Sequence, residues 1–106
     1  MTYVIRNEDV EEILIGIPKN HKHLRICIKI GDKTLIFQEA TIANLVRAYT
    51  TIKTHPTIKA LKLKRKTLPE REIKTGYARN QLIEVEEKEE EIEREITKLL
   101  EEAQLF

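Results

Sequence analysis

Residues 24–37 read LRICIKIGDKTLIF, and their first half constrains the fold more tightly than any other stretch. Leu24, Ile26, Ile28 and Ile30 alternate with Arg25, Cys27 and Lys29. Successive side chains of a strand point to opposite faces, so this spacing gives one aliphatic face and one polar face. Gly31, Asp32 and Lys33 break the pattern before TLIFQ, which predicts a hairpin with a short, glycine-containing loop. Upstream, EEILIGIP puts Ile13, Ile15 and Ile17 on one face and is halted by Pro18, so a third strand is expected.

From Thr41 the period changes. Ile42, Leu45, Val46, Tyr49 and Ile52 have the three-and-four spacing of an amphipathic helix, with Thr41 available as its N-cap. His55-Pro56 ends it, because the residue before proline disfavours the helical region. In ALKLKRKTL, Leu61, Leu63 and Arg65 alternate with Lys62, Lys64 and Lys66, which predicts a fourth strand with three lysines on one face. Thr67 then opens T-L-P-E, a capping box with Glu70 at the reciprocal position and Pro69 tolerated in the first turn. A helix bent near Gly76 is expected there.

Beyond Gly76, Leu82, Val85, Ile92, Ile96, Leu99, Ala103 and Phe106 fall on alternating a and d positions of a heptad, and Glu89 is the one polar a position. A helix from residue 80 onward would be about 40 Å long at 1.5 Å per residue, longer than so small a domain covers. Its seam is expected to join subunits in a dimer or tetramer, the alternative being a helix lying across its own sheet. The fold class is therefore α+β: a small antiparallel sheet of about four strands with a packed helix, followed by a long C-terminal heptad helix. Residues 1–79 form a basic domain and residues 80–106 an acidic oligomerisation helix.

The chain of 106 residues bears a net charge of only +1, which conceals a strong asymmetry. Residues 1–52 carry seven basic and six acidic side chains, residues 53–79 nine and two, and residues 80–106 three and ten. The middle stretch is thus at +7 and the last at −7. At this length one small core is possible and a second domain is not expected. Fifteen Ile, three Gln and four Asn, with abundant Glu and Lys, match proteins from hot environments. A lone Cys27 excludes an intramolecular disulfide and a cysteine metal cluster. No apolar run approaches a membrane span and the N-terminus lacks the apolar core of a signal peptide, so a soluble cytoplasmic protein without membrane partners is expected.

The cations are the first candidate for function. Lys62, Lys64 and Lys66 share a strand face, Arg25 and Lys29 hold the polar phase of the earlier strand, and Arg71, Lys74 and Arg79 could rim a common surface. Such a surface suits a phosphate backbone, because each neutralised phosphate releases condensed counterions. Tyr49, Tyr77 and Phe37 are the aromatic side chains available for base stacking. A lysine-rich edge strand that blocks unwanted pairing is the plainer reading. His21 and His23 stand in a loop with no Cys or carboxylate at ligand spacing, so no metal is expected, and His55 adjoins the basic stretch. No Gly-rich phosphate loop, nucleophile elbow or H-E-x-x-H is present, and no base accompanies Cys27. A protein without catalytic activity or cofactor is expected.

A small strand-and-helix domain, the basic stretch TIKTHPTIKALKLKRK and a zipper-like C-terminal helix together resemble the ThermoDBP-related single-stranded DNA-binding proteins of thermophiles. The resemblance implies a sequence-tolerant binder of single-stranded DNA, with RNA as the related partner, that oligomerises into a composite surface. Backbone contacts would then fall to Lys62, Lys64, Arg65, Lys66, Arg71 and Arg79, and stacking to Tyr49 and Tyr77. The competing class is a protein-interaction or scaffolding module whose basic stretch binds an acidic protein, for which the +7 and −7 segments are well matched.

Overall fold

The hairpin read from the alternating stretch is present, and its turn shows why glycine stands there. A computed structural model describes residues 1–72 and 79–103. Strand β2 (Arg25–Ile30) pairs antiparallel with β3 (Lys33–Gln38), with Ile30 opposite Lys33, so only Gly31 and Asp32 make the turn. Gly31 has φ 59° and Asp32 is not at positive φ, the arrangement of a type II′ turn with glycine at its first central position. Strand β1 (Glu12–Gly16) pairs antiparallel with the other edge of β2, giving the order β1-β2-β3.

The register sorts the side chains of this sheet. Ile13 faces Ile28 and Leu35, and Ile15 faces Ile26 and Phe37, so these six share one side. Glu12, Lys29 and Thr34 lie across one another on the opposite side, as do Leu14, Cys27 and Ile36. Helix α1 (Glu39–Thr54) follows β3 with no intervening residue and packs on β2 and β3. Leu35 and Phe37 are half-buried whereas Ile36 between them is 66% exposed, which puts α1 on the Leu35 and Phe37 side.

Several expectations are corrected here. Helix α1 begins at Glu39 with Gln38 as an N-cap that makes no side-chain bond; Thr41 lies inside the first turn, because β3 runs directly into the helix. The helix does end at Thr54, before His55-Pro56. The fourth strand, β4 (Leu63–Thr67), does not join the three-stranded sheet. It pairs with β5 (Asn80–Glu84) in a separate antiparallel sheet, with Leu63 opposite Glu84 and Thr67 opposite Asn80. A boundary between residues 79 and 80 would divide this hairpin. Thr67 opens no α-helix at T-L-P-E; a 3-10 turn at Glu70–Glu72 stands there, and the bend expected near Gly76 lies outside the described residues.

The heptad helix is correspondingly shorter. Helix α2 spans Glu89–Glu102, so Leu82 sits in β5 and Val85 in the connection after it, not in a helical seam. The backbone of β5 finds its partners in β4, and cross-strand pairing outweighs a helical periodicity carried by few apolar residues. Ile92 is 5% exposed and Ala60 is 4% exposed, the buried apolar residues of the described chain; both line the groove between residues 58–62 and the start of α2. The first apolar seam position of α2 is therefore used within its own chain. Ile96 and Leu99 are exposed, Ala103 is half-buried, and Phe106 lies outside the described residues.

A Cβ built on Gly31 would meet no neighbouring atom within 4 Å, so a Gly31→Ala change is opposed by backbone conformation alone. A positive φ at the first central position of a type II′ turn is sparsely populated by L residues and costs about 1–3 kcal/mol. Urea denaturation should show Gly31→Ala less stable by about that amount, with an unchanged slope.

Candidate nucleic-acid interface

The two-stranded sheet distributes the central cations between two faces. Opposite residues of an antiparallel pair share a face, so Lys64 stands beside Ile83 and Lys66 beside Gln81, whereas Arg65 stands beside Leu82 on the reverse side. The Val85 N–H donates to the Lys62 carbonyl at 3.0 Å and carries the ladder one step beyond β4. At the other end the Leu68 N–H donates to the Arg79 carbonyl at 2.8 Å. The Arg79 Nε donates to the Leu68 carbonyl at 3.4 Å, which fixes that guanidinium beside the hairpin. Thr67 Oγ1 donates to Asn80 Oδ1 at 2.6 Å across the last pair.

Lys64, Arg65 and Lys66 are exposed and make no ion pair among the described residues. Arg71 is likewise exposed, in the 3-10 turn. Lys62 differs. Its Nζ donates to Glu95 Oε2 at 2.7 Å and lies 3.1 Å from Glu87 Oε2, so its charge is already matched within the chain. Both carboxylates favour the ammonium, the hydrogen bond to Glu95 most and that to Glu87 next, and they hold the Lys62 pKa above the ordinary lysine value of 10.5. Glu89 Oε1 accepts the Lys59 backbone N–H at 2.9 Å, a second tie between the acidic segment and the residues leading into β4.

Arg25 and Lys29 share no sheet face with Lys64 and Lys66, because β2 and β4 belong to different sheets. Arg25 and Lys29 stand on the side of the three-stranded sheet that bears Leu14, Cys27 and Ile36. Lys29 Nζ is 2.9 Å from Glu12 Oε2, and the hydrogen bond between them raises its pKa. Arg25 Nη1 donates to the Leu24 carbonyl at 3.1 Å. Tyr49 is on α1 and Phe37 is half-buried in β3, so neither belongs to the hairpin. Lys74 and Tyr77 lie outside the described residues.

The histidines have local uses. His23 Nδ1 is 2.9 Å from Glu39 Oε2, which ties the loop before β2 to the first turn of α1. His55 Nδ1 accepts the Thr57 and Ile58 backbone N–H groups at 3.1 and 3.0 Å, so the ring closes the turn after α1. No group of three or more His, Cys, Asp or Glu side chains among the described residues is placed to hold a metal. None of the described helices is long and apolar enough to cross a membrane. What sequence reasoning missed is the pairing of Lys62 with Glu87 and Glu95. The adjacency of the +7 and −7 segments signals some such contact but does not identify the residues.

No protein-family model matches the chain, and neither does any curated protein or solved structure.

Because the Lys62 pKa is raised in the folded state, its stabilising contribution is complete below the unfolded value and is lost as pH rises through the folded one. Lys62→Met should therefore melt below the wild type at pH 7 to 9. The two melting temperatures should converge as pH rises beyond 10.5; a gap that persists there would mean the loss is one of packing.

Proposed function

We propose that the chain is a non-enzymatic, sequence-tolerant binder of single-stranded nucleic acid, DNA in the first instance, which grips the phosphate backbone with the β4–β5 hairpin. One contrast carries this reading: Lys62, just before β4, is matched by two carboxylates, while Lys64, Arg65 and Lys66 within β4 are exposed without an anionic partner among the described residues. Three adjacent cations repel one another, and a polyanion relieves that repulsion while releasing its counterions. Arg79, held at the end of the hairpin, and the exposed Arg71 extend the same field. Phosphate contacts give affinity without base preference. The resemblance to the ThermoDBP-related proteins points to the same class of partner.

A second reading draws on Lys62 itself. This side chain receives two glutamates from a Glu-rich segment beside the start of β4, so an acidic protein segment, such as another copy's α2, is the rival partner for Lys64 and Lys66.

Fluorescence anisotropy with labelled oligothymidine distinguishes the two. For three to five contacts the slope of log affinity against log salt is expected at roughly −2 to −3.5, since each single-strand phosphate contributes about −0.7. Lys64→Glu, Arg65→Glu and Lys66→Glu together should abolish binding and leave the far-ultraviolet circular dichroism unchanged. Absence of oligothymidine binding at low salt, together with retention of a Glu-rich peptide, would replace the first reading by the second.

A further inference from the structure

The apolar stripe of α1 is not the face that the sheet covers. Leu45, Val46 and Tyr49 are 58%, 57% and 64% exposed, whereas Thr41, Asn44, Ala48 and Thr51 are half-buried. Ile42 and Ile52 are also half-buried and border both faces. Ile13 and Ile15, on the side of the sheet that α1 occupies, are exposed as well.

The chain as a whole is short of cover. A compact monomer of 12.5 kDa exposes about 6,200 Å², but this one exposes 9379 Å², roughly 3,200 Å² more than that relation gives. Its radius of gyration is 16.4 Å, against about 13 Å for a compact domain of this length. Among the described residues no large side chain is fully buried. Obligate homodimers bury about 1,000–2,500 Å² per copy, so the surplus is more than enough to supply such an interface. A partner needed merely to complete a core must be present whenever the chain is folded, and a second copy of the chain meets that condition.

The helix itself is self-complementary. Ile42, Leu45, Tyr49 and Ile52 are spaced as a, d, a and d of two heptads, and Glu39, Val46 and Lys53 fall seven residues apart along one flank. In an antiparallel helix pair, a residues of one chain form layers with d residues of the other. Here those layers are Ile42 with Ile52 of the second copy and Leu45 with Tyr49 of the second copy, each occurring twice about a two-fold axis level with residues 46 and 47. The same axis brings Lys53 of each copy beside Glu39 of the other at both ends of the seam. A parallel pair would keep Glu39 and Lys53 at opposite ends of the seam, where they could not meet. Closure about a two-fold axis also makes the contact isologous, the commonest form of homodimer.

We infer that the exposed stripe of α1 is the interface of a homodimer in which two α1 helices pack antiparallel, with Glu39 and Lys53 pairing across it. This inference is independent of the nucleic-acid reading and assigns Tyr49 to the dimer seam instead of to a base.

Sedimentation equilibrium on the full chain tests it. The wild type is expected to be a dimer at micromolar concentration. Leu45→Glu with Tyr49→Glu should weaken the dimer at least about thirtyfold, as removal of a buried anchor does, with the helical circular dichroism retained. Glu39→Lys alone and Lys53→Glu alone should each weaken it roughly threefold to thirtyfold, and the two together should restore it, because each exposed pair contributes little but occurs twice. Ile96→Glu with Leu99→Glu, on α2, should leave it intact. A monomeric wild type, a dimer lost only with the α2 changes, or a double charge reversal that fails to restore association would each overturn the inference.

Discussion

Lys62 is the point on which the two oppositely charged segments depend for their arrangement. Its ammonium receives Glu87 from the connection after β5 and Glu95 from the second turn of α2, so one side chain fixes both the approach to the helix and its rotation. Exposed ion pairs add little to stability by themselves. The apolar anchor beside them is Ile92, buried in the groove that Ala60 also lines, and burying such a side chain is favourable by about 1.5–3 kcal/mol. The division of labour is clear: Ile92 holds α2 down, and Lys62 decides which way it faces.

That arrangement determines what is left over. Among the described residues the acidic segment forms its ion pairs with the basic one at Lys62, and α2 runs from there along residues 61–63, which line the groove against Ile96 and Leu99. Lys64, Arg65 and Lys66 therefore remain in solvent while most of α2's carboxylates remain elsewhere. A chain whose net charge is near zero thus keeps a concentrated positive field over one hairpin. Local field, not net charge, governs the approach of a polyanion.

The legible parts of this fold were those decided locally. The alternation of Leu24 to Ile30 and the glycine after it specify a hairpin, because strand faces and a positive φ are properties of a few neighbouring residues. Pro56 marks the end of α1 for the same reason. Strand β5 was not legible: Asn80–Glu84 has no sequence feature that forces an extended backbone, and its conformation comes from pairing with β4, which is distant in the chain. The direction of α1's apolar stripe was not legible either. A three-and-four spacing establishes that a stripe exists, but whether a sheet or another molecule covers it depends on how β3 launches the helix. At the candidate site, the strand placing Lys64 and Lys66 on one face was readable from alternation, and the neutralisation of Lys62 was not, since its partners are brought in by that same unpredicted hairpin.

The basic hairpin and the α1 stripe use different elements, and this separation has a consequence for binding. A dimer built on α1 would leave both copies' β4–β5 hairpins outside the proposed seam, so that one strand of the proposed nucleic-acid ligand would meet two cationic surfaces. The second contact is then intramolecular, and its effective concentration is set by the length of strand between the sites. Few phosphate contacts per hairpin give weak, salt-sensitive attachment, but two linked hairpins multiply residence without any base-specific contact. Affinity would therefore rise with oligonucleotide length in a step, at the length that first spans both hairpins, instead of smoothly with the number of phosphates. A monomer with a single hairpin would show no such step, so length dependence is where the two proposed surfaces would act together.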